Sequence, residues 1–422
     1  MHNEQKVTDS IYWIGANDFV TPRFDNLVPL PQGISYNTYF IDDEKTCVLD
    51  GIDNACRDIF MDNLSYLLKG RALDYIIINH MEPDHSGSLL ALAEAHPKAK
   101  IIASPQAIKM FEQFFHVSFK DRTILSDEKM VLDLGVHKLR FIKAPMVHWP
   151  EVTFTYDETD KVLFSADAFG TFGAIHGSIF ADAVDYADVY GTEGRRYYTN
   201  TTGKYGMQVL SALKKTAALP IDIICSLHGP VLRTEKDKAY VIDRVKKWAS
   251  FTPDYTSASI FFASAYGHTA MASTRLATLL GERGVRNLKL IDLCVTPVSD
   301  AWAEVFRRSH MVLAAPTMNM CLNPAMAAFL HECTTMGIQN RKVAILGNSS
   351  WAPNVSGKLM KDIVSTWKKC EIIEEPLHVK GSITGDDEAL ISLADTLAAD
   401  ILGKEGAWWK FYRQTQCRRR SI

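Results

Sequence analysis

The chain has 422 residues, 47% hydrophobic and 23% charged, with a formal net charge of −3. That length exceeds what one hydrophobic core usually organises, so two domains are expected. The near-neutral balance argues against nucleic acid or a membrane surface as a partner. The start lacks the apolar core of a secretory signal and no later run approaches spanning length, so a cytoplasmic protein is expected. Cysteines 47, 56, 225, 294, 321, 333, 370 and 417 are scattered without a C-x-x-C pair, which argues against a disulfide framework and a rubredoxin-type or zinc-ribbon site.

In chain order, short strands are predicted at 11–15, 35–41 and 46–51, separated by Pro, Gly and Asp, and consecutive strands of this kind form an antiparallel sheet. A helix at 59–68 closes on Gly70. The β-branched run at 75–78 reads as a buried strand, and straight after it come His80, Glu82, Asp84 and His85, with Pro83 stiffening the turn. Four ligand-type side chains this close either repel, pair in a hydrogen-bond network or hold a metal, and metal is the favoured reading.

A segment at 89–96, a strand at 100–103, a helix around 106–115 and strands at 130–134 and 138–142 follow. Three more ligand-type residues then stand at strand ends: His148 after 141–147, Asp167 after 162–166, and His228 after 221–227. Each alone fits an ordinary loop histidine or turn aspartate. Delivery of one such residue after another to a strand end points to a shared site.

The pattern His80-x-Glu82-x-Asp84-His85 followed by His148, Asp167 and His228 resembles the metallo-β-lactamase fold. More narrowly, it resembles the flavodiiron proteins, also called A-type flavoproteins. Glu82 is the discriminating residue, because dizinc hydrolases of this fold commonly carry histidine there, and an added hard oxygen ligand suits iron. The resemblance implies an α/β chain with an N-terminal αββα metallo-β-lactamase-like sandwich followed by a flavodoxin-like doubly wound parallel sheet. It implies two non-haem Fe ions, one held by His80, Glu82 and His148, the other by Asp84, His85 and His228, with Asp167 bridging. Near 195–198 the family commonly places a tyrosine beside the metals, so Tyr197 or Tyr198 is expected to donate a hydrogen bond there or to form a core aromatic pair. A histidine that many members carry before the 35–41 strand is missing, since residues 20–33 contain none.

At 248–257 the pattern changes. The helix predicted at 236–249 is broken by Pro253, and strands then alternate with helices as in a doubly wound sheet. Domains are expected at 1–252 (diiron) and 253–403 (FMN-binding), with a tail at 404–422. A strand at 259–263 leads through Ser264, Ala265, Tyr266, Gly267, His268 and Thr269 to a helix at 270–280. This loop resembles the flavodoxin phosphate loop, although an ordinary strand-to-helix turn uses similar residues. Strands at 311–315 and 342–346 run into Pro316, Thr317, Met318 and Asn319, and into Gly347, Asn348, Ser349, Ser350, Trp351 and Ala352, where a flavodoxin-like sheet places flavin contacts. Trp351 is the candidate to stack on the ring. A last strand at 372–375 and a final helix at 388–402 ending at Gly403 complete the domain. Trp408, Trp409, Phe411 and Tyr412, with Lys410, Arg413 and Arg418 to Arg420, are read as a solvated tail with a packing anchor.

The resemblance implies an oxidoreductase that passes electrons through FMN to a diiron centre reducing dioxygen to water, nitric oxide to nitrous oxide, or both. The external donor would be a rubredoxin-like protein, a flavin reductase or reduced deazaflavin. A head-to-tail homodimer or dimer of dimers is implied, with neither nucleic acid nor a membrane as partner. The alternative is a dizinc metallo-β-lactamase-type hydrolase with a structural second domain, and a third reading is an electron carrier or gas sensor without turnover.

Overall fold

The uninterrupted isoleucine run at 76–78 reflects a strand covered on both faces. In a computed structural model that describes residues 2–384 and 387–403, Ile76 and Ile78 of the Tyr75–Ile78 strand enter one core cluster, while Ile77 points the opposite way into a second. The aromatic and basic tail at 404–422 lies outside the described residues. The chain divides into two compact units between Ser250 and Phe251.

In the first unit, Tyr75–Ile78 is the fifth strand of a seven-stranded sheet ordered Gln5–Lys6, Ile11–Trp13, Tyr39–Ile41, Cys47–Leu49, Tyr75–Ile78, Lys100–Ala103 and Thr123–Leu125. Its first four strands pair antiparallel, as expected, and the rest parallel. A five-stranded sheet runs Val131–Asp133, Lys138–Lys143, Thr153–Asp157, Val162–Phe164 and Ile223–Cys225, its final pair parallel. Trp13, Tyr39, Leu49 and Ile77 meet Leu139, Phe141 and Phe164 in one cluster. The other face of the first sheet is covered by the Arg57–Leu68, Leu89–Ala95 and Pro105–Phe115 helices, through Phe60, Leu64, Leu92 and Phe111. The unit is the layered α/β sandwich the sequence implies.

Several strands end sooner than predicted, among them the Lys138–Lys143 strand ahead of His148. Val162–Phe164 stops before Ala166, whose φ of 47° lies in the left-handed region and turns the chain out of the sheet just ahead of Asp167. Ile223–Cys225 likewise ends three residues before His228. The predicted loop at Pro83 is instead a single helical turn, Pro83–Ser86, with proline at its first position.

The second unit holds a parallel sheet ordered Lys289–Asp292, Tyr255–Phe262, Arg308–Met318, Gln339–Ser349 and Lys368–Ile372. In order of appearance this is 2-1-3-4-5, the flavodoxin-like arrangement, whose switch point lies between the first and third strands. The fifth position is split, with Leu377–Lys380 pairing further along the same neighbour, so the single strand predicted at 372–375 is replaced by two that flank it. The His268–Glu282 and Glu388–Leu402 helices cover one face through Leu276, Leu280, Leu393 and Leu397. The seven described cysteines are free. No helix among the described residues is long and apolar enough to cross a membrane.

Candidate metal centre

The seven ligand-type residues of the first unit converge as two groups, His80, Glu82, His148 and Asp167 in one, and Asp84, His85 and His228 in the other. All seven are buried. Asp167 lies between the groups. Its Oδ2 is 3.1 Å from His148 Nε2 and 3.4 Å from His80 Nε2, while its Oδ1 is 3.1 Å from His85 Nε2 and 3.8 Å from His228 Nε2. One carboxylate therefore offers one oxygen to each group.

The elements explain the convergence. His80 leaves the Tyr75–Ile78 strand, held by Asp50, whose Oδ1 accepts the main-chain N–H groups of Asn79 (2.7 Å) and His80 (3.1 Å). Asp84 and His85 ride the Pro83–Ser86 turn. His228 sits in a loop pinned by Asn37, which donates to the Ser226 and Gly229 carbonyls. Only glycine fits at 229, because its φ is 74° and a Cβ would lie 2.2 Å from Thr171 Cγ2.

Two rings are oriented from behind. His80 Nδ1 bonds Glu151 Oε1 at 2.8 Å and His228 Nδ1 donates to the Ser35 carbonyl at 2.7 Å, which leaves each Nε2 as a lone pair facing the centre. Glu151 also accepts from Met81 N at 2.9 Å. His85 has no such anchor; neither of its ring nitrogens has a hydrogen-bond partner among the described residues, and it is placed by ring contacts with His80 and His228.

Buried polar atoms are normally satisfied, yet both Asp84 oxygens, Asp167 Oδ1, both His85 nitrogens and His228 Nε2 make no hydrogen bond among the described residues. The Nε2 of His228 is 3.1 Å from Asp84 Oδ2 without bonding geometry. Donor atoms that come this near while failing to bond one another fit a shared cation. Three carboxylates and four imidazoles form a mixed oxygen and nitrogen set, without thiolate, suited to iron or zinc and poorly to calcium or magnesium. Charge supports this. Burial opposes ionisation of Glu82, but His148 and His80 outweigh it and draw the carboxyl down to about 2. Burial likewise works against protonation of His148, and Asp167 and Glu82 overcome it, raising the ring to about 9. Without a metal the carboxylates recruit protons onto the histidines, the deficit of positive charge that cations would fill.

Of the two candidate tyrosines, Tyr197 turns toward the centre, its ring 5.3 Å from His228 and 5.1 Å from Phe172. Its hydroxyl is buried without a hydrogen-bond partner among the described residues. Burial and then the Asp167 and Asp84 charges hold its pKa far above the phenol range. Tyr198 instead packs on Trp248 at 5.4 Å. Sequence reasoning missed Glu151 and Asp50, and it missed the hairpin of Arg23–Phe24 with Val28–Pro29. Phe24 of that hairpin stands edge-on to His228 at 6.0 Å. Beside it, Asp25 has its carboxyl raised to about 6 by partial burial and by the charges of Glu82 and Asp84.

A family model described as "ODP family beta lactamase" matches residues 34–229. The anaerobic nitric oxide reductase flavorubredoxin of Vibrio vulnificus is 30% identical over 356 residues, 82% of this chain and 70% of that protein. The chain belongs to the flavodiiron protein family. Among solved structures, the rubredoxin oxygen:oxidoreductase of Desulfovibrio gigas superposes with a TM-score of 0.89 at 26% identity, covering 96% of this chain and all of that one. The flavodiiron protein of Giardia intestinalis has the same fold, with a TM-score of 0.87 at 23% identity over 95% of this chain and 96% of its own. As a flavodiiron family member, this protein is an oxidoreductase.

The second unit of this flavodiiron chain carries a cleft of about 420 Å³ at the carboxyl ends of its central strands. Thirteen of the sixteen residues predicted for a cofactor line it: Ser264, Ala265, Tyr266, His268, Thr269, Pro316, Thr317, Met318, Asn348, Ser349, Ser350, Trp351 and Ala352, joined by Gly381. Gly267, Asn319 and Gly347 do not. Gly267 is the N-cap of the His268–Glu282 helix at φ 88°, its N–H turned to Ser264 Oγ at 3.1 Å. Asn319 lies in the turn after Arg308–Met318 with φ 50°. At Gly347 a Cβ would meet Asn354 Oδ1 at 1.8 Å, so the glycine serves close packing within its strand. The predicted loops also begin inside strands, since Arg308–Met318 and Gln339–Ser349 run on through Pro316 and Gly347. Trp351 and Tyr266 stand 81% and 93% exposed on the rim, two aromatic surfaces that none of the described residues covers.

Proposed function

We propose that this protein reduces dioxygen to water, nitric oxide to nitrous oxide, or both, at a pair of iron ions in the first unit, using electrons that an external donor delivers through FMN in the second. The carrying observation is the division of Asp167 between the two ligand groups. A carboxylate so placed would hold two cations together, with the histidines and the remaining acids holding each from its own side.

A ferrous pair would supply two electrons and open positions for a diatomic gas, and FMN would join one-electron donors to that pair. The protein's part is placement. Glu151 and the Ser35 carbonyl fix the ring tautomers of His80 and His228. Tyr197 holds a neutral, proton-bearing hydroxyl beside Asp167, because burial and the surrounding carboxylates oppose its ionisation. Phe24 and Phe172 close the apolar side of the centre against water. In the cleft, main-chain N–H groups at the start of the His268–Glu282 helix suit a phosphate, and Trp351 offers a face to a flat ring.

The donor in this reading is a rubredoxin-like protein, a flavin reductase or reduced deazaflavin. We place the protein in the cytoplasm as a head-to-tail homodimer or dimer of dimers, the assembly that brings one chain's flavin to another chain's metals. The test is direct. Purified, iron-reconstituted protein is expected to be yellow, to carry about two iron ions per chain, and to consume dioxygen or nitric oxide continuously when photoreduced. A colourless zinc protein, or one that reacts once and stops, refutes the proposal.

A further inference from the structure

Behind Asp167, on the side of the Gly191–Thr201 and Glu235–Ala249 helices, lies a cavity of about 20 Å³, room for one water. Its walls include valines, a threonine and an arginine, and six side chains with oxidisable rings: Tyr186, Tyr190, Tyr197, Tyr198, Tyr240 and Trp248. Five of the chain's 15 tyrosines and one of its 8 tryptophans thus surround a space that opens on the carboxylate between the two ligand groups. Space-filling alone does not ask for this, since leucine and phenylalanine fill a wall without burying hydroxyls that need partners.

The rings form a chain with two ends. At the inner end Tyr197 lies against the turn that carries Asp167, where a Cβ at Gly170 would come within 2.9 Å of its ring. Tyr197 Oη finds no acceptor among the described residues, and a water in the cavity supplies one. At the outer end stands half-buried Tyr240, whose Oη a Cβ at Gly191 would approach to 2.9 Å. Between them, Tyr198 packs on Trp248 with ring centres 5.4 Å apart, Tyr186 on Tyr190 at 5.5 Å, and Tyr186 on Tyr240 at 6.0 Å. All six line the one water-sized space, which closes the remaining gaps. The other five are buried, so Tyr240 is the ring best placed to pass a phenolic proton to bulk water when it loses an electron.

We propose that these six rings are an escape route for oxidising equivalents, leading from Asp167 out to Tyr240. The inference rests on the dioxygen-reducing reading above and adds a protective function to it. When external electrons run short of what full reduction of dioxygen requires, Tyr197 gives up one electron toward the centre and its phenolic proton to the cavity water. Electrons from the outer rings refill Tyr197 in turn and its proton returns. The deficit settles on Tyr240, whose O–H bond breaks as the proton leaves to bulk water. The sum is one electron delivered inward and one proton released. A one-electron reductant such as ascorbate or a thiol then restores the Tyr240 phenol, with the proton drawn back from water.

Iron-loaded protein given dioxygen with too few reducing equivalents, then frozen, is expected to show an aromatic radical by electron paramagnetic resonance. With a nitroso spin trap present, peptide mapping by mass spectrometry is expected to find the adduct on Tyr240. Tyr186→Phe removes the oxidisable ring in contact with Tyr240 while keeping its shape, and it is expected to lose that adduct. With excess donor its kcat should stay within about twofold of wild type and its iron content should be unchanged. Should this variant fail to fold, Trp248→Phe cuts the chain nearer the centre and is expected to lose the same adduct. Hydrogen peroxide serves as a second oxidant that calls on no gas-reducing activity. The Tyr240 adduct formed with peroxide in an iron-loaded protein that reduces neither gas supports the route and refutes the proposed function. No aromatic radical with either oxidant, adducts confined to exposed rings elsewhere such as Tyr66 and Tyr266, or an undiminished Tyr240 adduct in Tyr186→Phe overturns the route.

Discussion

Glu151 is the residue whose loss should be felt most at the metals without touching them. Its Oε1 takes two buried hydrogen bonds, from His80 Nδ1 at 2.8 Å and Met81 N at 2.9 Å. Glu151→Ala strands both donors, and each unmet buried group costs about 1–3 kcal/mol. The metal-free protein should therefore lose roughly 2–6 kcal/mol if no water enters to replace the carboxylate. Losing a ring-orienting partner behind a ligand typically weakens metal binding 10–100-fold, about 1.4–2.7 kcal/mol. Glu151→Gln keeps an acceptor at Oε1, and it should recover most of the stability but only part of the affinity, because the negative charge that strengthens the imidazole ligand is gone. Anaerobic competition of ferrous iron against a chelator reads the affinity, and urea unfolding of the metal-free form reads the stability. A folded Glu151→Ala protein that binds iron within about twofold of wild type would show that His80 needs no support from behind.

Asp167→Ala should bring iron from about two per chain to well below one while leaving bound flavin unchanged, measured by elemental analysis beside the flavin absorbance. Trp351→Ala should do the converse, weakening FMN about three- to tenfold by fluorescence titration with the iron intact. His137 supplies a pH test away from the metals. Burial works against its charge, but its 2.9 Å bond to Asp157 and the charges of Asp157, Asp160 and Asp43 outweigh that and lift its pKa above 6.5, while Ser10 occupies its other ring nitrogen. A raised folded pKa gives stability that is full below the unfolded value and is lost as pH climbs through the folded one. The gap in urea midpoint between wild type and His137→Gln, both metal-free, should thus be widest below the ordinary imidazole pKa and narrow as pH rises past it. A gap constant with pH would mean that the ring is buried neutral.

What could be read without coordinates follows a physical boundary. The cluster at 80–85 was legible because a strand, a stiff turn and four ligand-type residues lie within eleven residues, and the single additions at 148, 167 and 228 were legible because each closes a strand-like run. Glu151 and Asp50 were not, since an acid that bonds a ring or a main-chain N–H looks like any loop acid until the fold brings it there. Tyr197 and Tyr198 could not be separated by adjacency alone. Neighbours on a helix point about 100° apart, and only the packing of Phe172 and Trp248 shows which one faces the metals. Gly347 misled for the opposite reason. A glycine after a strand suggests a ligand's approach, but here the close neighbour is the Asn354 side chain, which caps the Val355–Val364 helix. The Val298–Val305, Pro324–Thr335 and Val355–Val364 helices left no distinct signal beyond alternation with strands.

The two sites use opposite strategies, and the difference bears on how each can change. The metal centre is made of side chains: seven ligand-type groups from four chain segments, most held by buried bonds whose donors and acceptors lie outside the cluster. Replacing one ligand disturbs a charge balance in which carboxylates and imidazoles already shift one another's protonation. The cleft is made of strand ends and a helix start, where the main chain supplies the shape and residues such as Tyr266 and Trp351 are free at the rim. Side chains there can vary while the fold keeps the phosphate-sized end intact. His268 in the phosphate-type loop is therefore compatible with the site, because the N–H groups that would meet an anion belong to the helix and not to its side chain. By the same reasoning, divergence in the cleft should tune flavin affinity in small steps, whereas divergence among the seven ligands should be nearly all-or-none. His85 is the exception to look for, being the one imidazole whose orientation no hydrogen bond among the described residues enforces.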